Sequence, residues 1–296
     1  MMQIKLDLSK TPFNLDYTLS CGQTFRWEKH DDWWIGVVGQ TALKLRQVGS
    51  ILSFESSDDL DSEFVSRYLR LDDDLCRVYS ALDRDKYVRE AVKQFIGLRL
   101  LRQQPWECLI SYICATYKNI PAIKQMIDNI SKKFGEPIEF EDRRFHGFPL
   151  PEALARASLG DLRLCKLGFR AERLRETARL IARGDFDLES LRDVPYADAK
   201  KMLLSLPGVG LKVADCILLF SLDKLEAFPI DVWMKRIMLE SYSAHFEPGF
   251  VDRVSGKRSL SPREYEIIYA VGRRVFGEFL GYAQEYLYHF RRCQVL

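Results

Sequence analysis

The sequence predicts an α+β molecule, a small antiparallel β-sheet domain followed by an all-helical domain, and three observations carry that prediction. Over the first 55 or so residues, short runs alternate apolar and polar side chains with the two-residue period of a half-buried strand. From about Asp58 apolar residues instead recur three and four apart. Prolines and glycines divide this second region into segments of about 10 to 20 residues, the usual length of globular helices.

Gln3 to Leu8, Thr24 to Glu28, Trp33 to Val38, Ala42 to Gln47 and Ile51 to Glu55 read as the strands. The polar links Lys29-His30-Asp31-Asp32, Gly39-Gln40 and Val48-Gly49-Ser50 suit hairpin turns, which makes the sheet antiparallel. Further on, Ile110, Ile113, Cys114 and Tyr117, then Ile123, Met126, Ile127 and Ile130, show helical spacing. Breaks fall at Pro121, Gly135-Glu136-Pro137, Gly147-Phe148-Pro149, Pro151, Gly168, Pro195, Pro207-Gly208, Pro229, Pro248-Gly249 and Pro262. The β-rich domain is expected to occupy residues 1–90 and the helical domain residues 91–296.

A chain of 296 residues, 47% hydrophobic and 29% charged, has the composition of roughly two globular domains, which excludes disordered and fibrous classes. Its longest apolar run, Val213 to Leu222, falls short of the roughly 18 residues a membrane span needs and is broken by Asp215 and Ser221. The N-terminus alternates apolar and charged residues and carries Asp7, unlike a secretion signal or a mitochondrial presequence. The protein is therefore expected to be soluble and intracellular, cytoplasmic in a prokaryote or nuclear in a eukaryote, with no membrane partner. Nothing in the pattern suggests a dimer seam, so a monomer is the default. Seven scattered cysteines contain no CxxC pair and four histidines lie far apart, so neither a disulfide frame nor a metal knuckle is expected. A net charge of +2 neither requires nor excludes nucleic acid, because a basic stripe can occupy one face of a neutral protein.

The most informative stretch runs from Ala197 to Met238. Two helix-like segments, Ala197 to Ser205 and Leu211 to Leu222, are joined by Leu206-Pro207-Gly208-Val209-Gly210, a link that allows only a tight turn. Gly208 and Gly210 permit backbone angles that other residues avoid. The turn's free N–H groups, with the positive N-terminal end of the second helix, form a phosphate site that needs no basic side chain and reads no sequence. The same turn also serves elsewhere as a plain connection between core helices. Lys212 stands in the first turn of the second helix, where the dipole and nearby N–H groups disfavour a positive charge, and a neutral lysine is a nucleophile. Asp231 follows Pro229-Ile230 and precedes the helical run Val232 to Glu240, the position of an N-cap. A carboxylate beside a nucleophilic lysine stabilises positive charge developing on a sugar as its base departs, and helps move protons.

The hairpin, Lys212 and Asp231 resemble the helix-hairpin-helix (HhH-GPD) DNA glycosylases in type, order and spacing, and LPGVGLKVADCILLFSLDKLEAFPIDV resembles their 8-oxoguanine DNA glycosylase branch. The similarity covers most of the chain. Cys21-Gly22-Gln23-Thr24-Phe25-Arg26-Trp27 is similar to the segment whose glycine carbonyl accepts the N7–H that 8-oxoguanine has and guanine lacks, a contact the resemblance assigns to Gly22. Trp106 to Cys114 resembles the family's first long core helix. Tyr282 to Tyr288 resembles the segment that supplies a glutamine to the base's Watson–Crick edge and a ring to its face. Gln284 and Tyr288 lie four apart, so one pocket can hold both, as a flipped purine requires. The resemblance further implies that Cys216, four residues after Lys212, joins it in presenting a dipole to the oxidised purine, and that Pro229 lines the pocket. It makes Phe169 a wedge beside the vacated base and gives Arg170 a contact with the DNA backbone; Arg263, at a helix start, is expected on a phosphate.

Three departures limit what carries over. The best-known members have asparagines and then an arginine after the core helix, which fill the hole left by the flipped base and read the orphaned cytosine. Here Thr116-Tyr117-Lys118-Asn119-Ile120-Pro121-Ala122 has no such arginine, so Tyr117 and Asn119 are expected at the DNA without an implied strict preference for cytosine. Trp233 stands where those members have histidine, so its stacking or phosphate contact differs. The four-cysteine tail that binds an iron–sulfur cluster in some relatives is missing, and no cofactor is expected.

Together these features describe a bifunctional DNA glycosylase/AP lyase of base excision repair that acts on duplex DNA containing 8-oxoguanine. It flips the damaged base into a pocket, attacks the sugar with Lys212 and cleaves the strand by β-elimination from a Schiff base. The alternatives are a monofunctional helix-hairpin-helix glycosylase for alkylated bases, which usually lacks the lysine, and a non-catalytic DNA-binding hairpin module, which requires neither Asp231, Gln284 nor Cys216.

Overall fold

The computed structural model describes residues 1–295. The N-terminal alternation forms five strands, β1 (Met2–Lys5), β2 (Trp27–His30), β3 (Trp33–Val38), β4 (Thr41–Val48) and β5 (Ile51–Ser56), antiparallel in the order β1-β5-β4-β3-β2. Leu45 pairs with both Trp34 and Phe54, and the two-residue period brings Leu43, Leu45, Leu52 and Phe54 to one fully buried face. That face packs on Leu15 and Leu19 of helix α1 (Leu15–Ser20) and on Val65 and Leu69, in and just after α2 (Ser62–Tyr68). Helix α1 was not expected; the Asn14 side chain caps it by accepting the Tyr17 N–H.

Twelve of the helices before the C-terminal one then follow in order: α3 (Leu75–Leu82), α4 (Lys86–Gln94), α5 (Pro105–Cys114), α6 (Ile120–Phe134), α7 (Pro151–Arg156), α8 (Leu159–Leu164), α9 (Arg170–Ala182), α10 (Tyr196–Leu203), α11 (Leu211–Ser221), α12 (Val232–Ser241), α13 (Phe250–Ser255) and α14 (Pro262–Phe276); α15 (Leu280–Val295) closes the chain. Helices α5 and α11 are apolar around nearly their whole circumference, so they form the centre of the helical core and pack on each other. Leu75, Val78, Leu82, Val88 and Ala91 bring α3 and α4 into the same core. Prolines mark helix starts, standing in the first turn of α5, α6, α7 and α14, where the missing N–H costs no hydrogen bond.

The second region is not wholly helical, contrary to expectation. Strands β6 (Pro137–Phe140) and β7 (Arg143–His146) form an antiparallel hairpin. It docks on the first sheet through the Lys44–Glu141 ion pair at 2.6 Å, and just beyond it the Phe148 N–H donates to the Gly39 carbonyl at 2.7 Å. Four-residue strands between Gly-Glu-Pro and Gly-Phe-Pro are too short for a period to stand out. No helix among the described residues is long and apolar enough to cross a membrane.

Candidate active site

Helices α10 and α11 pack as a hairpin. Gly208 takes φ of +88°, a left-handed conformation that favours glycine, and the Thr177 hydroxyl anchors the turn by donating to the Pro207 carbonyl at 2.8 Å. Gly210, contrary to expectation, has ordinary extended backbone (φ −103°, ψ 179°) and serves as the N-cap of α11, whose first turn carries Lys212.

A cleft of about 1330 Å³ opens where α5, α11, α12 and α15 meet, and it gathers Lys212, Cys216, Pro229, Asp231, Gln284 and Tyr288; Gly22 joins them from the loop after α1. The Lys212 Nζ lies 4.8 Å from the centre of the Tyr112 ring, which itself stacks on Phe220. Cys216 stands one turn along on the same side of α11. Burial pushes its thiol up to about 12, against the pull of the Lys212 charge, so the sulfur keeps its proton. Asp231 caps α12, its Oδ1 accepting the Met234 N–H at 2.8 Å. Burial raises the Asp231 carboxyl above its ordinary value, opposed by the Met234 N–H and the Lys212 charge.

A buried polar network sets the segment before Asp231. Asp215, next to Cys216 and fully buried, accepts from the Tyr265 hydroxyl at 2.6 Å, the Tyr196 hydroxyl at 2.7 Å and the Lys200 ammonium at 3.2 Å. The Tyr265 oxygen in turn accepts the Ile230 N–H at 3.1 Å. Helices α10, α11 and α14 therefore hold the backbone adjoining the catalytic candidate.

Gly22 is fixed by its neighbour. The buried Gln23 amide donates to the Thr18 and Arg99 carbonyls and accepts the Leu101 N–H, while its backbone carbonyl accepts from Gln103 and from the Tyr112 hydroxyl. Gly22 itself has φ of +102°, and a Cβ there would fall 2.5 Å from an Arg292 guanidinium nitrogen. Gln284 is buried, its Oε1 without a hydrogen-bond partner among the described residues, and Arg292 lies 5.9 Å over the Tyr288 ring.

At the mouth of the cleft Tyr117 is 83% exposed with φ of +55°; Phe169, outside the cleft lining, is 57% exposed with the Arg170 and Arg173 guanidiniums over its ring. Trp233 also lines the cleft, with Arg236 against its ring. One expectation needs revision. Arg170 does not face a DNA backbone: it is buried, and its guanidinium donates to the Thr116 and Leu167 carbonyls, tying the Tyr117 and Phe169 loops together. Asn119 is exposed and lines the cleft, and its side-chain oxygen caps α6 by accepting the Ala122 N–H. Arg263 is exposed in the first turn of α14, where it lines a separate hollow with Phe246, Phe250 and Arg253.

Sequence reasoning missed Lys257, Arg258 and Glu285, which also line the cleft. The adjacent pair Lys257-Arg258 was the visible signal; what brings it to the cleft is the buried Lys235 ammonium, which donates to the Val254 and Ser255 carbonyls. Among the described residues no three His, Cys, Asp or Glu side chains are grouped to hold a metal ion.

The end of the hairpin, the Lys212 amine and the Asp231 carboxyl thus meet on one cleft. The family described as HhH-GPD superfamily base excision DNA repair protein matches residues 110–248. Residues 5–109 match the 8-oxoguanine DNA glycosylase N-terminal domain, and the chain belongs to the 8-oxoguanine DNA glycosylase family. It is 30% identical to N-glycosylase/DNA lyase OGG1 of Arabidopsis thaliana, over 96% of this chain and 78% of that protein. It is also 30% identical to the N-glycosylase/DNA lyase of Saccharomyces cerevisiae, over 96% and 85% of the two chains. Among solved structures, the Clostridium acetobutylicum 8-oxoguanine glycosylase/lyase in complex with double-stranded DNA containing cytosine opposite 8-oxoguanine superposes with a TM-score of 0.85 at 29% identity, covering 100% of this chain and 99% of that one.

Proposed function

We infer that the protein is a bifunctional DNA glycosylase/AP lyase that excises 8-oxoguanine from duplex DNA in base excision repair. The observation that carries this function is the convergence of Lys212 and Asp231 on one cleft with Gln284 and Tyr288. The hairpin N–H groups around Gly208 hold a phosphate of the lesion strand, and exposed Phe169 and Tyr117 enter the stack as the nucleotide leaves it, offsetting part of the unstacking cost. In the pocket the Gly22 carbonyl accepts N7–H, the Gln284 amide meets the Watson–Crick edge and Tyr288 stacks on the ring.

Lys212, once its amine has lost its proton, attacks C1′ as the bond to N9 breaks, the electron pair leaving with the base. Asp231 stabilises the positive charge that develops on the sugar. Loss of the ammonium proton and opening of the sugar ring give the Schiff base. Removal of a C2′ proton then expels the 3′ phosphate oxygen, which is β-elimination. No cofactor enters any of these steps, and one copy of the chain supplies every group.

The test is a duplex carrying one 8-oxoguanine opposite each of the four bases in turn, incubated with borohydride. The wild-type protein traps covalently, and Lys212→Gln traps nothing while losing base release by roughly 10³-fold or more. Normal base release by Lys212→Gln would overturn the assignment. Because Ala122 stands in place of an arginine, trapping is expected with partners besides cytosine.

A further inference from the structure

Glu285 lines the base cleft and has no part in the chemistry above. It is only 2% exposed, and its Oε1 has no hydrogen-bond partner among the described residues. A carboxyl that deep is costly to keep unless something pairs with it. It follows Gln284 on α15, and the roughly 100° turn per residue carries it off the Gln284 face toward that of Arg292, two turns further on. Arg292 donates to the Ser20 carbonyl and lies against Gly22. The Cys21 thiol, between those two residues in the chain, donates to the Thr18 carbonyl and is near enough to Glu285 for each to shift the other's ionisation. Glu285 therefore lines the cleft beside Gln284, on the side of the Cys21-Gly22 loop.

Around a purine, the substituent on C6 lies between N7 and N1. With N7–H on Gly22 and the N1 edge on Gln284, which is the base-recognition scheme proposed above and on which this step rests, a cleft group beside Gln284 on the Gly22 side faces position 6. We propose that Glu285 donates a hydrogen bond to O6 of the flipped base and thereby selects 6-oxopurines over 6-aminopurines.

The donor's proton is available near neutral pH. Burial pushes the Glu285 carboxyl up to about 7; the nearby Cys21 thiol and the Arg292 and Lys212 charges pull it down, and Asp231 pushes it up. The other titratable side chains around it are neutral, since burial keeps the protons on Tyr112 and Tyr288 and lowers His289 to about 4. As pH rises through the Glu285 value the donor becomes a carboxylate that repels O6.

The experiment measures single-turnover base release from duplexes carrying 8-oxoguanine or 8-oxoadenine, from about pH 6 to 9, for wild type, Glu285→Gln and Glu285→Leu. Wild type should release 8-oxoguanine more slowly above neutrality. Glu285→Gln, whose amide donates at every pH, should lose that alkaline fall. Glu285→Leu should slow 8-oxoguanine release by roughly 10- to 100-fold with little effect on 8-oxoadenine, shrinking the preference between them. An unchanged preference in the leucine variant, or an alkaline fall that persists in the glutamine variant, overturns the proposal. The glutamine profile decides the matter if the leucine variant does not fold. Wild-type protein that releases 8-oxoguanine from no duplex would instead defeat the excision function itself.

Discussion

Asp231 serves two purposes with one carboxyl. One oxygen caps α12 through the Met234 N–H, and the same group sits in the cleft with Lys212. The two roles separate chemically, because asparagine is as good an N-cap as aspartate but carries no charge to set against a sugar cation. Asp231→Asn should therefore keep the melting temperature, within about 1 kcal/mol of stability, while slowing base release by roughly 10²- to 10⁴-fold. A thermal melt and a single-turnover assay on one preparation check both halves; an active variant would remove Asp231 from the chemistry.

In the proposed function the hairpin is the element on which DNA binding depends. Gly208 combines φ of +88° with close neighbours, and an added Cβ would lie 3.2 Å from Arg173 Cβ and 3.4 Å from Ile113 Cγ2. Gly208→Ala should lower stability by about 1–2 kcal/mol and tilt the turn's N–H groups. Backbone donors address phosphate, not base, so the loss of affinity should be similar for damaged and undamaged duplexes of any sequence. Fluorescence anisotropy on the two duplexes tests this, and a loss confined to the damaged duplex would count against the hairpin as a phosphate site.

Across the whole molecule, Asp223 ties several segments to the end of α11: it pairs with Arg70 beyond α2, with Arg102 ahead of α5 and with Arg192 ahead of α10. Burial alone would raise its carboxyl, but Arg70, Arg102 and Arg192 outweigh that and hold it below the ordinary range. A carboxylate whose folded value is depressed contributes fully above its unfolded value of about 4, and that contribution is lost as pH falls through the folded value. Melting temperature should therefore fall on acidification below about pH 4. Asp223→Asn should destabilise the neutral protein by about 1–2 kcal/mol, allowing for the partial exposure of the carboxyl, and should weaken that acid dependence. Thermal melts at several pH values report both.

Much of this was legible because it is local. The period of Trp33 to Val38 matches β3 to the residue, the hairpin lies where Pro207-Gly208 interrupts two apolar runs, and Asp231 proved to be a cap. Each depends on atoms within a few residues, as do the prolines that open α5, α6, α7 and α14. Short elements escaped: α1 has six residues and β6 and β7 four each, too few for a period. Arg170 was misplaced for another reason, since spacing sets which side of a helix a residue occupies but not whether a neighbouring loop covers it. The sequence by itself determined the fold class, the hairpin, the lysine and the carboxylate. Only the tertiary structure decided how Gly22, Lys212, Asp231 and Gln284 meet and that burial raises the Asp231 and Glu285 carboxyls, because long-range packing sets both distance and desolvation.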